Sequence, residues 1–269
     1  MRRISVIAMV CAMLTTGCGT KKTTEDTAAS VYEEFQINSS AIGTERTVGV
    51  YLPKGYSDNA TYPVVYMEDG LVFSTGEYCH LMDSLIDNNK IEPVVVVCSY
   101  EDQTRIPGFD LAVRNAEYLE TLALQAPELK DIFDKHLDYF VNELIPAAEK
   151  RYSISAERDG RVYYGTSNSA DFGLTVSMIH PELFHEYWCF SPVCSDISTH
   201  GMLDTPVAYK ICWGAKEETG MSFDYFPNLI QSIRKRGGSV TNWTYPGGHE
   251  RPVWEKEFVR LMSAKFAKK

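Results

Sequence analysis

Apolar residues along this chain recur in two alternating rhythms. Short β-branched and aromatic runs occupy 31–36, 46–52, 62–67, 93–98 and 161–164, and the apolar runs 186–191, 207–213 and 240–245 continue the series. That composition suits strands. Between the runs, apolar residues return every three or four positions, as on the buried face of a helix. The pattern predicts helices through Cys79, Leu81, Met82, Leu85 and Ile86, over 111–124, over 131–152, and from Ala170 until Pro181 stops the helix. Two more are predicted over 223–236 and through Trp254, Phe258, Leu261 and Met262. The first two strands alternate and are joined through Asn38-Ser39-Ser40, so they read as an antiparallel pair. The unbroken run at 93–98 reads as a parallel strand covered on both faces. Strands alternating with helices predict an α/β architecture with a mostly parallel central sheet.

The two ends of the pattern differ from its middle. Arg2 and Arg3 precede an apolar stretch from Ile4 to Leu14, too short to span a bilayer and followed by L-T-T-G-C. This is the layout of an export signal, and its ending resembles a bacterial lipobox, in which the cysteine is lipidated. The expected organisation is a leader at 1–17, a lipidation site at Cys18, a flexible tether at 18–30 rich in Thr, Lys, Glu and Asp, and one domain at 31–269. The implied location is the bacterial cell envelope, with contact to the membrane only through the lipid anchor.

Charge narrows the partners. The formal net charge is -10, and removal of the leader would take away two further positive charges. Such a chain repels nucleic acid and anionic surfaces. Beyond Cys11 and Cys18, the cysteines at 79, 98, 189, 194 and 212 have no zinc-like spacing. Cys98 and Cys212 lie in strand-like runs and read as small buried hydrophobes. Cys189 and Cys194 could form a bridge in an oxidising compartment.

The stretch that organises the chemistry is Gly165-Thr166-Ser167-Asn168-Ser169, between the strand at 161–164 and the following helix. It is a variant of the G-x-S-x-G elbow, which lifts a serine above the sheet edge on a strained turn. Ser167 is the candidate nucleophile. In folds with this elbow the acid and then the histidine follow in chain order. His249, after the strand at 240–245 and a Gly247-Gly248 hinge, is the candidate general base. Glu217 and Glu218 follow the run at 207–213, and Glu217 is the preferred acid. The oxyanion would be held by the Asn168 amide and by that of Leu71 or Gly70, in the turn after 62–67. No metal or organic cofactor is needed for such chemistry.

With these residues in place, the chain resembles the esterase D-like “putative esterase” family of the α/β-hydrolase superfamily, which includes feruloyl, acetyl and siderophore esterases. The likeness covers about 46–254 and is carried by V-Y-L-P-K-G-Y, Y-P-V-V-Y-M-E-D-G, R-N-A-E-Y-L, F-V-N-E-L-I-P and G-G-H-E-R-P-V-W. The chain departs from the family at Ser169 and Ala170, where glycines are usual, and at Glu217, where aspartate is commoner. Arg114 and Glu117, the two ends of the four-residue R-x-x-E motif, read either as a surface helix pair or as a buried pair supporting the loop beside the site.

The resemblance implies an exported serine esterase acting on a small-molecule or oligosaccharide ester, with acetyl or feruloyl carbohydrate esters preferred. The other expectations are a siderophore trilactone esterase and a non-catalytic ligand-binding lipoprotein of the same fold. Aromatic residues near the site loops, Phe73, Tyr78, Trp213, Tyr225 and Trp254, suit stacking on a sugar or aryl group. Trp254 and Trp213 are the candidates for substrate binding.

Overall fold

The computed structural model describes residues 29–75, 77–195, 197–217 and 224–268. The leader, Cys18, most of the tether and Glu218 lie outside the described residues. The described chain forms one eight-stranded sheet in the order β1-β2-β4-β3-β5-β6-β7-β8. Its strands are β1 (Val31–Asn38), β2 (Glu45–Leu52), β3 (Val64–Met67), β4 (Val95–Ser99), β5 (Arg161–Thr166), β6 (Glu186–Phe190), β7 (Ala208–Gly214) and β8 (Ser239–Tyr245). β1 and β2 run antiparallel to their neighbours, and every pairing from β4 to β8 is parallel. This is the α/β arrangement expected from the alternating pattern.

Helices cover both faces. On one side α1 (Gly70–Thr75), α2 (Tyr78–Asp87) and α9 (Arg251–Lys265) enclose Phe73, Tyr78, Met82, Phe258 and Met262. On the other lie α3 (Val113–Tyr118), α4 (Glu120–Gln125), α5 (Lys130–Asp138), α6 (Ile145–Arg151), α7 (Asn168–Ile179) and α8 (Tyr225–Lys235). In β5 the pleat sends Tyr163 into this layer, and Val162 and Tyr164 into the opposite one.

Two predicted helices take a different form. The helix expected over 111–124 breaks at Leu119, whose extended backbone (φ -108°, ψ 94°) separates α3 from α4. The helix expected over 131–152 is one rod whose middle, Tyr139–Leu144, is π-helical. The widened turns lie just ahead of Pro146, which lacks an N–H and crowds the carbonyl four residues back. The turn after β3 divides its demands between two residues. Its left-handed residue is Asp69 (φ 60°), and Gly70 is needed because a Cβ there would lie 2.3 Å from the Tyr100 ring.

Cys189 and Cys194 are both free thiols, so no bridge joins them. Cys194 instead contacts the Thr121 hydroxyl at 3.3 Å. Cys98, Cys189 and Cys212 are buried, and burial pushes their thiols well above the ordinary range. Among the described residues no helix is long and apolar enough to cross a membrane.

Candidate active site

The turns that follow β3, β5, β6, β7 and β8 all open at the carboxyl edge of the parallel strands, where α/β sheets bind their ligands. Ser167 sits between the end of β5 and the start of α7 with φ 55° and ψ -130°. A non-glycine residue takes that conformation only when its surroundings impose it. Here they do: the Ser167 amide donates to the Phe190 carbonyl at 2.9 Å, while its own carbonyl accepts from Ala170 and Asp171. Strand and helix meet so closely that a Cβ on Gly165 would lie 2.4 Å from the Ser169 carbonyl oxygen.

Ser169, where the family resemblance leads to an expectation of glycine, fits by folding its hydroxyl back onto the strand end. The hydroxyl accepts from the Thr166 amide at 2.9 Å and donates to the Thr166 carbonyl at 2.8 Å. The side chain therefore replaces bare space with two hydrogen bonds to the elbow itself.

His249 lies between Ser167 and Glu217. Its Nε2 is 2.9 Å from Ser167 Oγ, and its Nδ1 is 2.8 Å from Glu217 Oε2. A carboxylate only accepts, so the ring proton belongs on Nδ1 and Nε2 is left to take the serine proton. Glu217 is buried, and its second oxygen accepts from the Gly214 amide at 2.6 Å, Ser191 Oγ at 2.8 Å and Tyr245 OH at 3.0 Å. Burial alone would raise the Glu217 pKa, but the bonds from His249, Gly214 and Ser191 outweigh it and hold the carboxyl below the usual glutamate range. An ionised acid is therefore fixed behind the imidazole.

Ser191 and Tyr245 were not singled out in the sequence. Their position at the ends of β6 and β8, beside the acid-bearing turn, is the signal that marks them. Ser191 is itself left-handed, with φ 49°. The stretch after it is held by Asp171, whose carboxylate accepts the amides of Val193 at 3.0 Å and Ser195 at 2.9 Å. Desolvation pushes the Asp171 pKa up to about 6 against the pull of those bonds.

The predicted aromatic platform has a different use. Trp254 stands edge-on to His249, 4.8 Å between ring centres, and its indole N–H reaches Ser191 Oγ at 3.0 Å and Tyr245 OH at 2.9 Å. It backs the imidazole and closes the hydroxyl pair behind Glu217. Trp213 is buried and stacked on Phe226 at 4.2 Å, bordering a groove of about 550 Å³ with Ile230, Arg234 and Asn242 on the α8 layer. Phe73 on α1 and Tyr78 on α2 are core residues stacked on each other, so they offer no face to a ligand. Tyr225 accepts the Ser195 amide at 2.9 Å.

On the oxyanion side, Asn168 is the first residue of α7, and Gly70 and Leu71 begin α1. The Leu71 amide is directed at Glu101 Oε2, 3.3 Å away. Burial raises the Glu101 pKa and the nearby Asp69 carboxylate adds to the rise. Among the described residues no group of three or more His, Cys, Asp or Glu side chains is arranged to hold a metal ion.

The R-x-x-E motif resolves into two separate partnerships. Arg114 grips the Asp69 carboxylate through Nε and Nη2, with Nη2 at 2.7 Å from Oδ2. Glu117 is wholly buried and pairs with Arg46, with His136 Nδ1 at 3.7 Å. Neither residue pairs with the other on the helix surface.

Known proteins share the fold that carries this geometry. The family described as “Putative esterase” matches residues 39–225. An endo-1,4-beta-xylanase/feruloyl esterase of Xylanibacter ruminicola is 26% identical over 161 residues, 56% of this chain and 20% of that protein. The chain thus spans about a fifth of that relative's length. The structure of a ferulic acid esterase from Anaeromyces mucronatus superposes with a TM-score of 0.64 at 16% identity, over 91% of this chain and 95% of that one. An enterochelin esterase from Shigella flexneri gives 0.64 at 16% identity, over 89% and 59%.

Proposed function

This chain belongs to the “Putative esterase” family; from that premise we propose that it is a hydrolase acting on esters, an exported serine esterase that cleaves acetyl or feruloyl esters of carbohydrates. Ser167 Oγ attacks the ester carbonyl carbon while its proton passes to His249 Nε2. Glu217 holds the imidazole in the required tautomer and stabilises the imidazolium that forms. The tetrahedral oxyanion rests on the Asn168 amide and on that of Leu71 or Gly70. Collapse expels the alcohol, which takes the proton from His249. Water, activated by the same imidazole, then attacks the acyl-serine, and the acid leaves as Ser167 regains its proton.

The observation that carries this reading is the place of His249, within hydrogen-bond reach of Ser167 on one nitrogen and of Glu217 on the other. The strained Ser167 backbone supports it, because such strain collects at functional sites. A binder of the same fold has no use for a buried acid held behind a histidine. For the substrate, the support is the acidic balance of the chain, which disfavours a strongly anionic ferric siderophore. The names of the Xylanibacter and Anaeromyces proteins point the same way. The aromatic residues give no such support, since most are committed to the core or to the histidine.

A fluorophosphonate probe tests the nucleophile: it labels the wild type and not Ser167→Ala, and an unlabelled wild type rules out the serine mechanism. Acetylated and feruloylated oligosaccharides assayed beside a ferric trilactone test the substrate. The expectation is a higher kcat/KM on the carbohydrate esters, and faster trilactone hydrolysis reverses the choice.

A further inference from the structure

The chain folds two carboxylates, Glu68 and Asp69, into the turn just ahead of the candidate oxyanion amides, and buries both. Asp69 is also left-handed, with φ 60°. Nothing in its own side chain favours that conformation strongly enough to hold it, so the surroundings must. They act at three groups. Its carboxylate takes the side-on fork of Arg114, its amide faces Tyr118 OH at 3.4 Å, and its carbonyl accepts Val72 N at 2.9 Å and starts α1. Arg114 is held in turn: its guanidinium lies 4.9 Å from the Tyr118 ring centre, and its amide donates to the Asp102 carbonyl at 2.8 Å.

The support continues inward. Tyr118 OH donates to Glu68 Oε2 at 3.1 Å, and Glu68 Oε1 meets His136 Nε2 at 3.1 Å. His136 faces Glu117, which pairs with Arg46 on β2. Rotation at Asp69 would swing the Gly70 and Leu71 amides together, since both follow it directly. The Arg114 fork holds the Asp69 side chain against that rotation.

We infer that Arg114 is a positioning residue for ester hydrolysis: by clamping Asp69 in its left-handed conformation it fixes the direction of the Gly70 amide, the oxyanion candidate, and of the neighbouring Leu71 amide, which here donates to Glu101 Oε2. The inference rests on the proposed roles of Ser167 and of these amides. Its predicted signature is a loss felt in the transition state and not in substrate binding.

The experiment compares wild type, Arg114→Ala, Arg114→Lys and Ser167→Ala on one activated aryl acetate, with phenylboronic acid as the probe of the tetrahedral state. Arg114→Ala is expected to lower kcat about 100-fold, the usual effect of losing one oxyanion donor, with KM changed by less than about threefold. Its affinity for phenylboronic acid should weaken in parallel with kcat, and millimolar guanidinium should restore part of both. A merely structural role would lower thermal stability without that rescue. If the alanine variant does not fold, Arg114→Lys decides, because lysine keeps the charge and loses the fork. A lysine enzyme equal to wild type in kcat and boronate affinity overturns the inference. Should Ser167→Ala stay fully active, the reading of the site falls and takes this inference with it. If Ser167→Ala is inactive while Arg114→Ala keeps its kcat and boronate affinity, only the role of Arg114 is lost.

Discussion

Ser191 and Tyr245 come from different strand ends, yet their hydroxyl oxygens lie 2.8 Å apart and both reach Oε1 of Glu217. Trp254 donates to the same two oxygens from behind. The acid is thus held by one oxygen so that the other is aimed at His249.

Removing either hydroxyl should loosen that aim without touching substrate. Ser191→Ala and Tyr245→Phe are each expected to lower kcat about tenfold, the equivalent of one charge-assisted hydrogen bond of about 1.5 kcal/mol, with KM unchanged. Glu217→Gln should cost about a thousandfold or more, because the amide favours the wrong tautomer. Glu218→Gln should leave kcat nearly intact. Steady-state kinetics on the four variants checks this, and a larger loss at Glu218 would move the acid there.

Gly165 faces backbone, not movable side chains: a Cβ would lie 2.4 Å from the Ser169 carbonyl oxygen and 2.8 Å from the Ala170 nitrogen. Gly165→Ala must displace the elbow, and a shift of that size should lower kcat by about 100-fold. Gly201→Ala, where a Cβ meets nothing within 4 Å, is the matched control. Equal activity in the two variants would show that the elbow tolerates a wider gap.

His136 carries a pH prediction. Burial alone would lower its pKa, but Glu68 and Glu117 outweigh burial and the repulsion of Arg46, and hold it above the usual histidine value. Tyr118, Tyr139 and Phe172 close the rest of its surroundings. A raised folded pKa means that the native state binds the extra proton. Its stabilising contribution is complete below about pH 6.5 and is lost as pH rises through the folded value. Urea midpoints from about pH 6 to about pH 9 should therefore fall in the wild type, and this share of the slope should vanish in His136→Gln. Parallel curves for the two proteins would exclude a buried imidazolium.

Cys18→Ser tests the anchor independently of the site. Expressed in a bacterial host, the variant should move from the membrane to the soluble fraction and keep its kcat. Several acyl chains are needed for stable anchoring, so mass spectrometry of the wild-type N-terminus should find a multiply acylated cysteine. An unmodified residue there would refute the lipobox reading.

How much of this was legible in the chain depends on the range of each interaction. The strands, their parallel order and the Ser167, Glu217, His249 sequence follow from periodicity and chain order, which are local or nearly so. Arg114 and Glu117 were ambiguous because spacing on one helix shows only helical neighbours, whereas their partners Asp69 and Arg46 come from other elements. Trp254 and Trp213 looked alike as aromatic residues near the site loops. Only packing separates an indole that turns its N–H toward Ser191 from one stacked on Phe226. The need for a glycine at 70 was hidden for a similar reason: Gly70 is small because of Tyr100, thirty positions later in the chain, and not because of its own backbone angle.

The ionisable groups beneath the oxyanion turn are matched in number: Glu68, Asp69 and Glu117 stand against Arg46, Arg114 and His136, whose proton affinity Glu68 and Glu117 raise. Removing one member strands an opposite charge away from water, which is far worse than lacking the pair altogether. These positions cannot drift one at a time. A descendant of this protein can keep the six together, or exchange them in linked steps for apolar side chains of matching volume. Most single intermediates between those two states pass through a destabilised protein. The network therefore acts as a historical lock, and in a family tree its residues should be gained and lost as a set.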